Sequence, residues 1–392
     1  MSFKTAMNKF AVNFVRFIGG KLTLKICHVK IKKYKPTHDT FIVISNHSDG
    51  LDPVYILYAF KKYIRIVMSD HIVNNPILNV MFRKISGFII RDREDPTQKM
   101  VDDIIKSTKE GVCVGLYAEG TITPNGETGF FSPRTGQLIK DSGVALITFK
   151  VTGGYLHTPK WGTGMRRGPV HGEVVREYSP EELQKMTVEE INEAICEDIY
   201  VNFFEDQKKK GHRYKCKNCA EYIERVLYMC PHCKEVGNLH SKGNFFKCKC
   251  GYKVELNEKG FFTPVRKDLV FDNILDWDKW QKQAWKERVL SAKPQELIFE
   301  EDGQILNTIF KKKRNRISDN ATLRLYQDRF EIAYDDQVVT MPMDKMKLVT
   351  SISIEALILA DDNHHFYIKS QIPRASSKYV AAWRYLNGKE YK

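Results

Sequence analysis

A histidine and an aspartate follow an apolar run with the spacing of a catalytic pair. Residues 41–44 (FIVI) lead into a polar segment in which four residues separate His47 from Asp52. The apolar run predicts a buried strand, and open α/β sheets carry their chemistry in loops at the carboxyl ends of such strands. A carboxylate beside a histidine fixes the ring tautomer and stabilises the imidazolium form. The spacing therefore predicts a general base, with two ordinary solvated loop residues as the alternative.

Six of the nine cysteines lie in three close pairs between residues 216 and 250. Thiolates two or three positions apart on tight turns let four sulfur atoms meet one Zn²⁺ ion tetrahedrally. This spacing fits a metal site in a reducing compartment better than a disulfide framework. We expect the clearest site, with a zinc ion that folds the segment, to use Cys230, Cys233, Cys248 and Cys250. The remaining pair, Cys216 and Cys219, either joins Cys230 and Cys233 or forms a second site with a nearby histidine.

Three further segments combine an apolar run with glycine and charged residues. They are residues 87–93 (GFIIRDR), 117–123 (YAEGTIT) and 143–154 (GVALITFKVTGG). Together with residues 46–52 (NHSDGLD), they resemble the four ordered blocks of the glycerolipid acyltransferase family, whose members acylate lysophosphatidic acid and glycerol-3-phosphate. The resemblance covers roughly residues 35 to 200. It is specific because four blocks occur in the family's order.

The resemblance implies roles for individual residues. His47 would take a proton from the acceptor hydroxyl, and Asp52 would hold the other ring nitrogen. Arg91 would bind a phosphate group, because a planar guanidinium suits that task. The acceptor site would be shaped by the third block, through Glu119, Gly120 and Thr121.

The chain departs from the family pattern at two positions. Ile122 stands where the family usually has an arginine after Glu-Gly-Thr, and Ala145 stands where the fourth block usually has a proline. The first departure removes a cation that would bind phosphate. Arg134, at the predicted start of a helix, is a candidate to supply the missing charge, with an ordinary surface arginine as the alternative.

The composition predicts a globular protein with an anionic partner. The chain has 392 residues, 42% of them hydrophobic, which is enough for two or three domains with full cores. Its 62 basic and 48 acidic residues give a net charge of +14. Such a charge favours a membrane surface, a nucleic acid or a phosphorylated substrate without choosing among them. The sequence has no apolar run of the roughly 18 residues that a spanning helix needs, so we expect a soluble or peripheral protein.

The first 38 residues form a basic segment without a single acidic residue. Apolar side chains recur there at intervals of three or four positions, at Phe3, Met7, Phe10, Phe14 and Phe17. This spacing predicts an amphipathic helix, which would lie in a membrane interface or, alternatively, cover the core of the domain.

Apolar strands and helical segments alternate from residue 39 to residue 211. The alternation predicts an α/β domain, similar to a glycerolipid acyltransferase, with a mixed sheet flanked by helices. Residues 156–178 are predicted to be irregular. Residues 179–210 are predicted to form one helix, because Ser179 and Pro180 give an N-terminal signature.

Two smaller segments follow the α/β domain. Residues 212–262 resemble a zinc ribbon. Residues 263–392 are predicted to be β-rich, with a run of short strands from Ala321 and a helix near the C-terminus. This order of elements resembles a pleckstrin-homology-like domain.

The resemblance implies an O-acyltransferase of phospholipid biosynthesis. Acyl-CoA or an acyl-carrier protein would donate the acyl group to the hydroxyl of a lysophospholipid such as 1-acylglycerol-3-phosphate. We expect the enzyme in the cytoplasm, peripheral on the inner face of a membrane. The alternative is a degenerate acyltransferase that acts as a lipid- or nucleic-acid-binding scaffold through its ribbon and C-terminal domain. A pure nucleic-acid binder is the least favoured hypothesis.

Overall fold

The computed structural model describes residues 24, 27–70, 79–91, 97–310, 313–352 and 354–389. The predicted amphipathic helix over Phe3 to Phe17 lies outside these residues. The chain divides into two compact units, which are described separately. The first comprises Met1–Lys160 and Gly164–Lys215, and the second comprises Trp161–Thr163 and Cys216–Lys392.

The first unit is built on a seven-stranded mixed sheet with the strand order β1-β7-β6-β2-β5-β3-β4. Strands β6 and β7 pair antiparallel, and all other neighbours in this sheet pair parallel. The predicted α/β fold with a mixed sheet is therefore confirmed. The strands are β1 (Val29–Ile31), β2 (Phe41–Ser45), β3 (Ile64–Ser69), β4 (Ile89–Arg91), β5 (Cys113–Tyr117), β6 (Ala145–Thr152) and β7 (Val170–Tyr178).

Strand β2 lies at the centre of this sheet and is buried along its whole length. Its side chains alternate between the two layers of the core, because successive residues of a strand point to opposite faces. Phe41 and Val43 belong to one hydrophobic cluster, and Ile42 and Ile44 belong to the other. Because β2 is buried on both faces, its residues form an uninterrupted apolar run. The polar segment begins at the carboxyl end of this strand.

Helices alternate with strands along most of the first unit. They are α1 (Asp52–Ala59), α2 (Thr97–Lys109), α3 (Arg134–Ser142), α4 (Gly154–His157), α5 (Pro180–Lys185), α6 (Val188–Ile199) and α7 (Phe203–Lys210), and a π-helical segment covers Val80–Ile85. The expectation of one helix over residues 179–210 is wrong. Thr187 forms a capping box with Glu190, and the side chain of Asn202 accepts the first backbone N–H groups of α7. These caps start new helices within the apolar pattern.

The segment 156–178 is also more regular than expected. It contains β7, which pairs with β6 on one side and with β1 on the other. Buried and exposed residues alternate near the start of β7, and several side chains farther along the strand are exposed. The sequence analysis missed this strand because polar residues interrupt its apolar pattern. The hydrogen bonds that stabilise it come from strands distant in the sequence, which a local pattern does not reveal.

The second unit begins with a four-stranded antiparallel sheet and a long helix. The strands are β8 (Leu239–Lys242), β9 (Phe245–Cys248), β10 (Lys253–Leu256) and β11 (Phe262–Arg266), and the helix is α8 (Ile274–Ser291). Trp277 of α8 is fully buried, and its indole N–H donates to the carbonyl of Met229 at 2.8 Å. Its ring contacts Phe246 and Phe262 of the small sheet. The helix therefore packs buried apolar side chains against this small sheet and contributes to its core.

The rest of the second unit is a seven-stranded antiparallel sheet followed by one helix, so the predicted β-rich C-terminal region is confirmed. The strand order is β15-β14-β13-β12-β18-β17-β16. The elements are β12 (Leu297–Phe310), β13 (Lys313–Tyr326), β14 (Arg329–Tyr334), β15 (Gln337–Pro342), β16 (Leu348–Ile352), β17 (Ala356–Ala360), β18 (His365–Ser370) and α9 (Ser377–Leu386).

Strand β12 and the first half of β13 precede Ala321 and were missed in the sequence. Their pairing shifts register repeatedly between Leu297 and Asn307. Each shift interrupts the alternation of apolar and polar residues on which a strand prediction depends.

None of the helices in the described residues is both long and apolar enough to cross a membrane.

The side chain of Asn46 continues the pairing of β2 with β6 beyond the end of β2. Its Nδ2 donates to the carbonyl of Val151 at 2.9 Å, and its Oδ1 accepts the backbone N–H of Val151 at 2.8 Å. Asn46 is buried. The amide therefore fixes the start of the polar segment against the neighbouring strand.

We predict that Asn46→Leu destabilises the first unit by roughly 1–3 kcal/mol, because it leaves buried backbone groups of Val151 without partners. Hydrogen–deuterium exchange of β2 and β6 measures the loss. Glu193→Leu, at an exposed position of α6, is the control and should leave this exchange unchanged. Unchanged protection in Asn46→Leu would contradict the prediction.

Candidate active site and metal cluster

His47 and Asp52 form a hydrogen-bonded pair in the loop after β2. His47 Nδ1 lies 2.9 Å from Asp52 Oδ2. The same oxygen accepts the backbone N–H groups of Ser48 at 2.8 Å and Asp49 at 2.9 Å. Asp52 is fully buried, whereas the His47 side chain keeps 17% of its surface exposed. The loop thus folds around one carboxylate oxygen and presents the imidazole at its surface.

This arrangement decides which nitrogen of His47 is the base. Because two backbone N–H groups point at Asp52 Oδ2, this oxygen faces the ring as an acceptor. Nδ1 therefore carries the proton, and Nε2 has the lone pair that can accept one. Among the described residues, Asp52 Oδ1 has no hydrogen-bond partner.

Glu119 fixes the backbone of the loop. Its Oε1 accepts the backbone N–H of His47 at 2.7 Å, and its Oε2 accepts that of Gly129 at 2.6 Å. Thr123 N–H donates to the carbonyl of His47 at 2.8 Å. Burial raises the pKa of Glu119 to about 8, and the two backbone donors oppose this rise. Glu119 therefore acts on the position of His47 through its main chain.

The structure brings Arg91 to the same turn. Gly120, with φ near +67°, follows Glu119, and a Cβ on Gly120 would lie 2.9 Å from Arg91 Nη1. A side chain at this position would therefore displace the guanidinium. Glycine serves both the positive φ and this close approach.

A lysine that the sequence analysis did not select also reaches this turn. Lys160 Nζ donates to Thr121 Oγ1 at 2.5 Å. Lys160 lies beyond the fourth block, so no motif pointed to it. Arg134 begins α3 with an exposed side chain that makes no hydrogen bond or ion pair within the described part of the chain.

A second buried pair lies beside the first and was also missed. Asp49 Oδ2 lies 2.5 Å from His157 Nδ1 and accepts the hydroxyl of Tyr55 at 2.7 Å. Its Oδ1 accepts the hydroxyl of Thr158 at 2.7 Å. Burial opposes ionisation of Asp49, but the hydrogen bond and charge of His157 outweigh it and lower the pKa of this carboxyl. The pair joins α4 to the loop that carries His47.

The electrostatic surroundings keep His47 neutral. Its ring stacks on Tyr117 with ring centres 4.3 Å apart. Burial and the charge of Lys160 lower the pKa of His47 to about 3, against the opposing effect of Asp49. A neutral imidazole with a free lone pair on Nε2 can accept a proton from a hydroxyl that reaches it.

We predict that the ring of His47 does not titrate with a midpoint near 6.5. NMR titration of the imidazole signals between pH 5 and 8 measures this, with the His47 signal assigned from its absence in His47→Gln. A His47 midpoint near 6.5 would contradict the prediction. Because unfolded His47 binds a proton below about pH 6.5, the site should also lose stability as the pH falls below that value.

The second unit contains a four-cysteine cluster that could hold a metal ion. The sulfur atoms of Cys230, Cys233, Cys248 and Cys250 all lie within 4.8 Å of one another. Two of the separations are 3.9 Å, for Cys230 and Cys250, and 3.7 Å, for Cys233 and Cys248. Sulfur atoms at the corners of a tetrahedron around zinc are about 3.8 Å apart. The donor set and its spacing fit a tetrathiolate metal site.

The pair Cys216 and Cys219 does not join this cluster. The two residues are linked to each other by a disulfide. The expectation that they ligate a metal is therefore corrected, since bonded sulfurs are not thiolate donors. The sequence spacing could not separate these outcomes, because a Cys-x2-Cys pair suits both.

We predict that the purified protein contains one tetrathiolate-bound metal ion per chain and that Cys230→Ser loses it. Cys196→Ser, which changes an exposed cysteine of the first unit, is the matched control and should keep the metal. Elemental analysis measures both. Full metal content in a Cys230→Ser, Cys248→Ser double variant would contradict the assignment.

Comparisons with known proteins match the part of the chain that carries these residues. Residues 26–152 match the family model described as Acyltransferase. The 1-acyl-sn-glycerol-3-phosphate acyltransferase of Borreliella burgdorferi is 23% identical over 133 residues, which are 32% of this chain and 53% of the relative. The enzyme of that name from Bacillus subtilis is 28% identical over 122 residues, which are 30% of this chain and 58% of the relative.

The chain therefore spans little more than half of the length of these curated relatives. Among solved structures, it is similar to the 1-acyl-sn-glycerophosphate acyltransferase PlsC from Thermotoga maritima. The TM-score is 0.44 and the identity 18%, over 55% of this chain and 86% of that one.

Proposed function

We propose that the chain, whose residues 26–152 match the acyltransferase family model, transfers a fatty acyl group from a thioester donor to a hydroxyl of a lysophospholipid. 1-Acylglycerol-3-phosphate is the acceptor we favour, and phospholipid biosynthesis is the process. The observation that carries the proposal is the hydrogen bond from His47 to the buried carboxylate of Asp52. It leaves Nε2 of a neutral imidazole to act as a base.

The reaction needs one base and no covalent enzyme intermediate. His47 Nε2 takes the proton of the acceptor hydroxyl while the hydroxyl oxygen attacks the thioester carbonyl. The tetrahedral intermediate then breaks its carbon–sulfur bond and expels the thiolate. The imidazolium returns its proton to the sulfur, so the products are an ester and a free thiol. Asp52 stabilises the imidazolium in between.

In this proposal the turn around Glu119 positions the acceptor beside His47. Glu119 holds the backbone of His47, and Arg91 approaches Gly120 closely enough to meet a phosphate near the same turn. A guanidinium offers two parallel donors to phosphate oxygens. Gly120 and Thr121 are exposed residues of this turn and contribute to the acceptor site in this proposal. Arg134 stays a weaker candidate because no contact connects it to the turn within the described residues.

The donor, the metal and the location complete the proposal. The family acts with acyl donors, and acyl-CoA and acyl-carrier protein are the two we propose to test. The four-cysteine cluster is proposed to hold a zinc ion that stabilises the fold, because four thiolates leave no open position for a substrate. The net charge of +14 supports peripheral binding to an anionic membrane surface on the cytoplasmic side.

A lipid- or nucleic-acid-binding scaffold is the second candidate function. The observation that favours it is that the whole second unit lies outside the residues matched by the family. Ile122, in place of the family's arginine, is compatible with it as well. The intact pairing of His47 with Asp52 weighs against it, since a scaffold has no need of a histidine that a buried carboxylate holds in one tautomer.

We predict that His47→Ala lowers acyl transfer by about 10²–10⁴-fold, the scale on which a general base contributes. The assay follows labelled acyl groups from acyl-CoA and from acyl-carrier protein to a panel of lysophospholipids on liposomes. His171→Ala, at an exposed position of β7, is the matched histidine control and should retain activity.

Either result separates the two candidate functions. Transfer by the wild type and by His171→Ala, but not by His47→Ala, supports the enzyme and identifies its donor and acceptor. The absence of transfer from folded wild-type protein that binds liposomes contradicts the enzyme and favours the scaffold.

A further inference from the structure

We propose that Lys160 binds the phosphate group of the substrate at the active site, in place of the arginine that the family usually has at the position of Ile122. The inference rests on the proposed function and identifies a specificity residue for it. It concerns a lysine from the loop after α4, outside all four blocks and outside the residues matched by the family.

The ammonium group lies at the turn that orients the base. Lys160 Nζ donates to Thr121 Oγ1 at 2.5 Å. Thr121 is two residues from Glu119, whose carboxylate holds the backbone of His47. A phosphate that contacted Lys160 would therefore lie at the turn that holds the backbone of His47.

The loop that carries Lys160 is fixed to the loop that carries His47. Thr158 Oγ1 donates to Asp49 Oδ1 at 2.7 Å and accepts the backbone N–H of Gly50 at 2.8 Å. The pairing of Asp49 with His157 adds a buried contact one residue earlier. Lys160 follows Thr158 by two positions, so its main chain is held in place relative to the base. The hydrogen bond of its ammonium group to Thr121 restricts the side chain as well, which reduces the rotamer entropy that the lysine loses on binding.

Two cations then approach the same turn from different elements. Arg91 comes from the end of β4 and lies next to Gly120, whereas Lys160 lies next to Thr121. Ile122 is a half-buried apolar residue and offers no charge. A phosphate monoester carries close to two negative charges, so a guanidinium and an ammonium together match it.

The same lysine couples substrate binding to the strength of the base. Its positive charge opposes protonation of His47, in the same direction as burial. A phosphate bound to Lys160 would offset that charge and make the imidazolium easier to form. An anionic substrate would therefore strengthen its own general base, whereas an uncharged acceptor would not.

The phosphate could belong to the acceptor or to the donor, since both lysophosphatidic acid and coenzyme A carry phosphates. Lys160→Met removes the charge and keeps the length of the side chain. Lys160→Arg keeps the charge, and Lys185→Met removes an exposed lysine of α5 as the control. KM is measured for lysophosphatidic acid and, separately, for acyl-CoA, with monoacylglycerol as the uncharged acceptor.

We predict that Lys160→Met raises the relevant KM by about 10–100-fold, the range expected when a charged hydrogen bond is lost. A rise confined to lysophosphatidic acid assigns the acceptor phosphate, and a rise confined to acyl-CoA assigns the donor. Lys160→Arg should retain most of the affinity, and Lys185→Met should match the wild type. In Lys160→Met the pH profile of kcat/KM for monoacylglycerol should move its acidic limb to higher pH, because His47 loses a repelling charge.

Moving the charge tests the position of the site. Ile122→Arg in the Lys160→Met background should restore the lost affinity, because the arginine returns a cation to the turn. Unchanged KM values for both substrates in Lys160→Met would overturn the proposal.

Binding without turnover distinguishes failure of this inference from failure of the proposed function. Calorimetry compares lysophosphatidic acid and acyl-CoA binding to His47→Ala and to His47→Ala, Lys160→Met. Weaker binding of either ligand to the second variant supports the role of Lys160 even if the wild type transfers no acyl group. Equal binding of both ligands to the two variants overturns it, whether or not the wild type is active.

Discussion

One oxygen of a buried carboxylate organises the candidate site. Asp52 Oδ2 receives the ring of His47 and two backbone N–H groups of the loop between them. A carboxylate removed from water needs such donors, because an unpaired buried charge is costly. The observed loop conformation satisfies this oxygen and also fixes the tautomer of the imidazole. The four-residue spacing is long enough for the loop to close in this way.

The sheet brings the other residues to this point. Strands β4, β5 and β2 run parallel, so Arg91, the turn at Glu119 and the loop of His47 all follow carboxyl ends at one edge. Three of the sequence blocks thus meet in space although up to 76 positions separate their contacting residues, as in the hydrogen bond between Thr123 and His47. Asn46 and Thr123 connect the loop to its neighbours through backbone hydrogen bonds. Several elements therefore position the loop of His47, whereas the proposed proton transfer involves one atom, Nε2 of its ring.

The sequence predicted the elements whose signals are local. Such signals are contained in a few adjacent residues. They include the apolar run of β2, the glycine after Glu119 and the spacing of the cysteines. The sequence could not predict the contact of Lys160 with Thr121 or the pairing of Asp49 with His157, because these contacts join residues 39 and 108 positions apart. For the same reason β7 and β12 were missed, since partners remote in the sequence stabilise strands whose own pattern is weak. Thr187 and Asn202 did carry a local signal, as residues of the types that cap helices, which the apolar periodicity obscured.

The division into two units affects how the protein can be observed. The five tryptophans are Trp161, Trp277, Trp280, Trp285 and Trp383, and all of them fall in the second unit. Intrinsic tryptophan fluorescence therefore reports mainly on the part of the chain with the cysteine cluster, because four of the five tryptophans lie beyond residue 270. A tryptophan placed in the first unit would be a local optical probe there, and the two units could then be followed during unfolding in a single sample by comparing variants with and without it.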